Sequence, residues 1–123
     1  MKIAITYQNR KEITGHAGKT SRFLIYKVNP TNGLVQSKEI IDLPKEDILH
    51  NRFHESDDPW SAHPIFEVDL LITGGAGAGF INRLARQTVK VLITSEKDPD
   101  KAVELFFHDQ LPILKPHSHQ NHK

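Results

Sequence analysis

The stretch that decides the fold is Val68-Asp69-Leu70-Leu71-Ile72-Thr73-Gly74-Gly75-Ala76-Gly77-Ala78-Gly79. Its first six residues form a short, continuous apolar run, of the kind that suits a strand covered on both faces. The glycines and alanines that follow are a strand-to-helix turn. A helix through about Gln87 should come next, since Ala78, Ile81, Leu84, Ala85 and Thr88 fall on one helical stripe. Val89–Thr94 then reads as another strand, and Asp98-Pro99 caps a last helix that turns Ala102, Val103, Phe106 and Phe107 inward. Strand, helix and strand on short links imply a parallel pair joined by a right-handed crossover.

Upstream of that unit the signals change to those of a hairpin. Residues 2–7, KIAITY, read as a buried strand, and a polar loop runs from Gln8 to about Ser21. Residues 22–28, RFLIYKV, and 34–43 are two strands joined at Pro30-Thr31-Asn32-Gly33, where Gly can take positive φ. The segment 44–67 is acidic and contains histidine. Pro44, Pro59 and Pro64 punctuate it and limit a helix starting at Asp58-Pro59 to a turn or two. Residues 1–112 therefore form one α/β domain, followed by a structureless, His-containing tail over 113–123.

Composition narrows the function classes. The 123 residues carry a net charge of +1, 37% hydrophobic and 25% charged residues, which fits one globular core. That small net charge conceals an asymmetry of +5 over residues 1–40, −6 over 41–75 and +2 over the rest. No dense Lys/Arg run tracks a phosphate backbone, so nucleic acid is not an expected partner. There is no cysteine, which excludes disulfides, a thiol nucleophile and thiolate ligation of a cluster. Neither a signal peptide nor a membrane span is visible, and the expectation is a cytoplasmic protein without membrane contact. The eight histidines are the unusual feature.

Several pieces in register resemble a known family. KIAI at the start, Gly15-His16-Ala17-Gly18-Lys19 leading into Phe23-Leu24-Ile25-Tyr26, the 68–77 stretch, Val89-Lys90-Val91, Asp98-Pro99 and Ala102-Val103 are similar to the dinitrogenase iron–molybdenum cofactor biosynthesis domains. Those domains are the NifX and NafY types and the C-terminal domain of NifB. The resemblance implies a ribonuclease-H-like motif, with a mixed five-stranded sheet, an N-terminal hairpin and flanking helices. It also implies non-catalytic binding or carriage of an iron–sulfur or iron–molybdenum cofactor precursor, with cofactor-biosynthesis proteins as partners. The chain departs from the family pattern at Ala17, where His-Phe-Gly is usual, and in its longer, acidic middle loop.

Topology gives an independent reason for histidines to meet. If the first strand is parallel to those at 68–73 and 89–94, four loops open on one sheet edge, where open α/β sheets bind ligands. Those loops carry His16, then His50, His54 and His63, then Gly74–Gly79, then Ser95 and Glu96. Imidazole suits iron, zinc, nickel and copper, so His16, His50, His54 and His63 are the candidate metal ligands. The His50-x3-His54 spacing signals a metal only on a helix. Lys19 and Arg22 flank His16 and could balance an anionic cluster. The amides of Gly77 and Gly79 could contact an anion, whereas Gly74 and Gly75 read as packing residues. The glycine spacing is neither Gly-x-Gly-x-x-Gly nor a Gly-Lys-Ser/Thr phosphate loop, which argues against a nucleotide. Asp57 and Asp58 are adjacent and no acid lies in the first strand, which argues against a nuclease. Three readings stand: a metallocluster carrier, a His-based mononuclear zinc, nickel or copper protein, and a small-anion or protein-interaction module without metal. Histidines 117, 119 and 122 belong to the tail, which the last helix should root away from this edge.

Overall fold

The computed structural model describes residues 1–116, so His117, His119 and His122 lie outside the described residues. Five strands, β1 (Lys2–Thr6), β2 (Arg22–Val28), β3 (Val35–Asp42), β4 (Leu70–Thr73) and β5 (Lys90–Ile93), form one mixed sheet in the order β3-β2-β1-β4-β5. The β1–β2 and β2–β3 pairs are antiparallel, whereas β1–β4 and β4–β5 are parallel. This is the α/β architecture expected from the hairpin followed by the strand–helix–strand unit.

Alternation along each strand divides the core between the two faces of the sheet. Ala4, Phe23, Ile25 and Leu71 pack with Leu49, Ile65 and Leu84 on one face. Ile3, Ile5, Leu24, Tyr26, Leu70 and Ile72 pack with Ala102 and Val103 on the other. The unbroken apolar run of β4 follows from this, because all four of its residues are buried. The first face is covered by α1 (Leu49–Glu55) and α2 (Ala78–Ala85), the second by α3 (Pro99–Phe107). Asp98 caps α3 by accepting from the Asp100 amide at 3.1 Å, and Pro99 opens its first turn. In the hairpin turn Gly33 takes φ 75°, while the Asn29 side chain accepts from the Thr31 and Asn32 amides.

Two local expectations need correction. The segment 44–67 contains a true helix, α1, which ends before Asp58-Pro59 rather than starting there. The chain also does not leave the fold at residue 113. The Leu114 amide donates to the Ile93 carbonyl at 2.7 Å, against the C-terminal end of β5. The root of the C-terminal segment thus sits beside the edge strand, on the side where β1 and β4 end, and not at the opposite edge. No helix among the described residues is long and apolar enough to cross a membrane.

Candidate functional site

β1 and β4 are neighbours running the same way, so Thr6 and Thr73 finish side by side, with their hydroxyls 3.0 Å apart. The Thr73 hydroxyl donates to the Thr14 carbonyl at 3.2 Å. The Gly74 amide donates to that same carbonyl at 2.9 Å, and the Ala17 amide to the Gly75 carbonyl at 3.0 Å. The loop after β1 and the loop after β4 are therefore stitched together by two main-chain bonds and by the Thr73 hydroxyl. A Cβ on Gly74 would stand 3.3 Å from the Thr14 backbone, and one on Gly15 3.6 Å from the Gly75 nitrogen. At Gly74 a side chain would crowd backbone that has little room to move, whereas at Gly15 it would make ordinary contact.

Held by that stitch, His16 takes a left-handed conformation at φ 53°, ψ 54°, which histidine tolerates better than most residues. Its carbonyl accepts from the Lys19 amide at 2.9 Å, closing a 3-10 turn over Ala17–Lys19. Ala17 is buried in the core and anchors the turn, which leaves His16 and Lys19 exposed.

α1 supplies the third wall. Leu49 and Arg52 are its buried residues. The Arg52 guanidinium pairs with Asp47 at 3.3 Å and donates to the Ser61 carbonyl at 2.6 Å. His50 and His54 are exposed on the same helix, with ring centroids 4.7 Å apart. The His50 Cβ lies 4.0 Å from the place a Gly18 Cβ would occupy, which brings this histidine to the 16–19 turn.

The result is a pocket of about 270 Å³ lined by His16, Ala17, Gly18, Lys19, His50, Ala76, Gly77 and Phe80. It combines an ammonium, two imidazoles and the N-terminus of α2, with no carboxylate in its lining. Gly77 caps α2 without a side chain of its own, and a Cβ there would meet nothing within 4 Å. First-turn amides of a helix are anion donors when no side chain caps them. A larger cavity of about 470 Å³ lies between α1 and the 56–62 segment. Glu46, Asp47 and Glu55 line it, and its one cation, Arg52, is committed to Asp47 and Ser61, so it is ill suited to an anion.

Of the residues singled out from sequence, His16, Lys19, His50 and Gly77 meet in the smaller pocket, and His54 stands beside His50. Three others do not join them. Arg22 turns to Asp42, 2.8 Å from its Nε, and donates from Nη1 to the Gln8 carbonyl at 2.9 Å. Gly79 lies within α2 and is not part of the pocket lining. His63 is 2% exposed and works as a cap. Its Nδ1 accepts from the Ile65 amide at 3.0 Å and its Nε2 donates to the Asp47 carbonyl at 2.8 Å, so neither nitrogen is free for a metal. Burial holds its imidazole below the ordinary histidine value, with Arg52 adding to the effect and the Asp47 carbonyl opposing it. Phe80, the aromatic wall, was not among the expected residues. Its place three residues after Gly77 was the available signal, and it packs against the core together with Ile81.

Comparison with known proteins bears on this geometry. Residues 1–109 match the family described as dinitrogenase iron-molybdenum cofactor. The chain belongs to that family. Among solved structures, the protein PH0822 superposes with a TM-score of 0.67 at 17% identity, covering 92% of this chain and 94% of its own. A Methanocaldococcus jannaschii protein provisionally described as a dinitrogenase gives 0.64 at 17% identity, covering 95% of this chain and 97% of its own. The apo form of the orange protein from Desulfovibrio gigas gives 0.63 at 19% identity, covering 94% and 93%. These likenesses establish a shared fold. Among curated proteins none matches. The family member described here thus pairs the family's α/β fold with a pocket that has cationic and imidazole walls.

Proposed function

We propose that this chain is a non-catalytic binding or carrier protein for the iron–molybdenum cofactor or an iron–sulfur precursor of it. The observation that carries this reading is the pocket lining: His16, Lys19, His50 and the Gly77 end of α2, without an opposing carboxylate. A cluster that brings its own sulfides needs few protein donors, and imidazole is a suitable one where cysteine is absent. Lys19 and the α2 amides supply charge complementarity to an anionic cluster. The family's usual Phe after the histidine is replaced by Ala17, which is buried, yet the pocket keeps an aromatic wall from Phe80. In this role the protein exchanges its cargo with cofactor-biosynthesis proteins.

The test is anaerobic addition of isolated iron–molybdenum cofactor to the wild type and to His16→Asn, a variant that tolerates the left-handed backbone. The expected result is cofactor absorbance that co-elutes with the wild type and is lost from the variant. Equal co-elution with both, or with neither, overturns the proposal.

A further inference from the structure

We propose that His50 and His54 form a second site, which shares His50 with the pocket: a two-histidine chelate for one late first-row divalent cation on the exposed face of α1. The chelate stands on helix geometry and does not depend on the cluster reading.

Residues four apart on a helix stack on one face, and two imidazoles so placed are a recognised arrangement for holding one ion. With a metal–nitrogen bond of about 2.1 Å and a ring radius of about 1.1 Å, each ring centroid stands roughly 3.2 Å from the ion. At a ligand–metal–ligand angle of about 90–110°, the two centroids are then roughly 4.5–5.2 Å apart. The observed separation is 4.7 Å, with the rings inclined at 54°. Both rings are exposed, so coordination displaces only water. The helix beneath them is fixed by buried Leu49 and by Arg52, which is tied to Asp47 and Ser61. Rigid support of this kind lowers the ordering cost of binding.

The donor set selects the ion class. Two neutral nitrogen donors suit copper, nickel and zinc, with copper the tightest, and are poor ligands for magnesium or calcium. Among the described residues no third His, Asp or Glu completes a metal-binding group. The remaining coordination positions are therefore open to water or to a donor arriving from outside. His54 is not part of the pocket lining, so the chelate and the pocket are separable by mutation even though His50 touches both.

Trp60 is the chain's one tryptophan, and its ring lies 5.2 Å from that of Phe53, which sits between the two histidines on α1. Copper(II) quenches a nearby indole, so titration of the full-length protein with Cu2+ and observation of tryptophan fluorescence report on this site. His117, His119 and His122 are replaced by Gln in every sample to remove competing imidazoles. Helical circular dichroism verifies each fold, and Ala is the residue most favourable to an exposed helical position. The expected outcome is saturable quenching at one ion per chain. His50→Ala and His54→Ala should each weaken binding at least about tenfold, the lower bound for losing even a supporting group at a metal site. His16→Asn should change it less than about threefold. Binding by His54→Ala within about threefold of its parent overturns the chelate. So does a loss in His16→Asn as large as that in His54→Ala, which would put the ion in the pocket. Failure of the cofactor experiment leaves these outcomes unaffected.

Discussion

His63→Ala is the perturbation that most directly separates a structural histidine from a ligand. In the wild type Nδ1 accepts from the Ile65 amide and Nε2 donates to the Asp47 carbonyl, while the ring is 2% exposed. Replacement removes a cap worth about 1 kcal/mol. It also leaves the Asp47 carbonyl without this partner, at about 1–3 kcal/mol, and opens a void beside Phe66, whose ring lies 5.2 Å away. A net loss of about 3 kcal/mol is expected, or a fall in Tm of roughly 10–15 °C for a domain of this size. The pH dependence supplies the sharper test. Burial disfavours the charged imidazole, so the folded value lies below the unfolded value of about 6.5. The unfolded chain therefore binds more protons on acidification, and stability from His63 is present above about pH 6.5 and lost as pH falls through the folded value. The slope cannot exceed about 1.4 kcal/mol per pH unit for one proton. Between pH 7.5 and 5.5 the stability gap between wild type and variant should shrink by up to about 1.4 kcal/mol. Urea denaturation followed by circular dichroism at both pH values measures it, and histidines common to both proteins cancel. A gap that stays constant or widens on acidification refutes the assignment.

Two further substitutions probe the frame around the pocket. Gly74→Ala places a Cβ 3.3 Å from the Thr14 backbone, which a hydrogen bond prevents from retreating. It should cost about 1–3 kcal/mol in urea denaturation and weaken cofactor co-elution as well, because the 14–19 loop is displaced. Gly33→Ala meets both a φ of 75° and the Phe107 side chain, 3.1 Å away. It should cost about 1–2 kcal/mol yet leave cofactor and copper binding unchanged, since the hairpin turn lies at the opposite sheet edge.

The fold was legible where one local signal dominates, as in the apolar run of β4 and the Asp98-Pro99 cap of α3. The stripe expected on α2 was only partly right: Leu84 is buried and Ile81 half-buried, whereas Ala78, Ala85 and Thr88 are exposed, and Thr88 lies beyond the helix. α1 was not legible for a physical reason. Of its two buried positions one is Arg52, held by Asp47 and Ser61 rather than by apolar contact, so the apolar stripe is broken in the sequence. Its N-cap, Ile48, offers no side-chain acceptor, which removes the usual start signal. The pocket was half legible. Adjacent loops could be inferred from parallel strands, and this brought His16, Lys19 and Gly77 to one edge. Whether a long side chain points in or out depends on nearby partners, and Asp42 and Gln8 decided that for Arg22. His63 was legible as a histidine near the edge but not as a cap, a role more often filled by Ser, Thr, Asp or Asn.

The main-chain stitch between the loops after β1 and β4 has an evolutionary consequence. The bonds from Gly74 to Thr14, Ala17 to Gly75 and Lys19 to His16 involve no side chain, so the shape of the cup is inherited with the backbone. Positions 19, 50 and 77 can then drift with little penalty to folding, so the charge of the cup can change without a change in its shape. Position 16 is the exception. Its left-handed backbone admits His, Asn, Asp and Gly readily and penalises β-branched residues, so a lineage that replaces this histidine has a short list of successors.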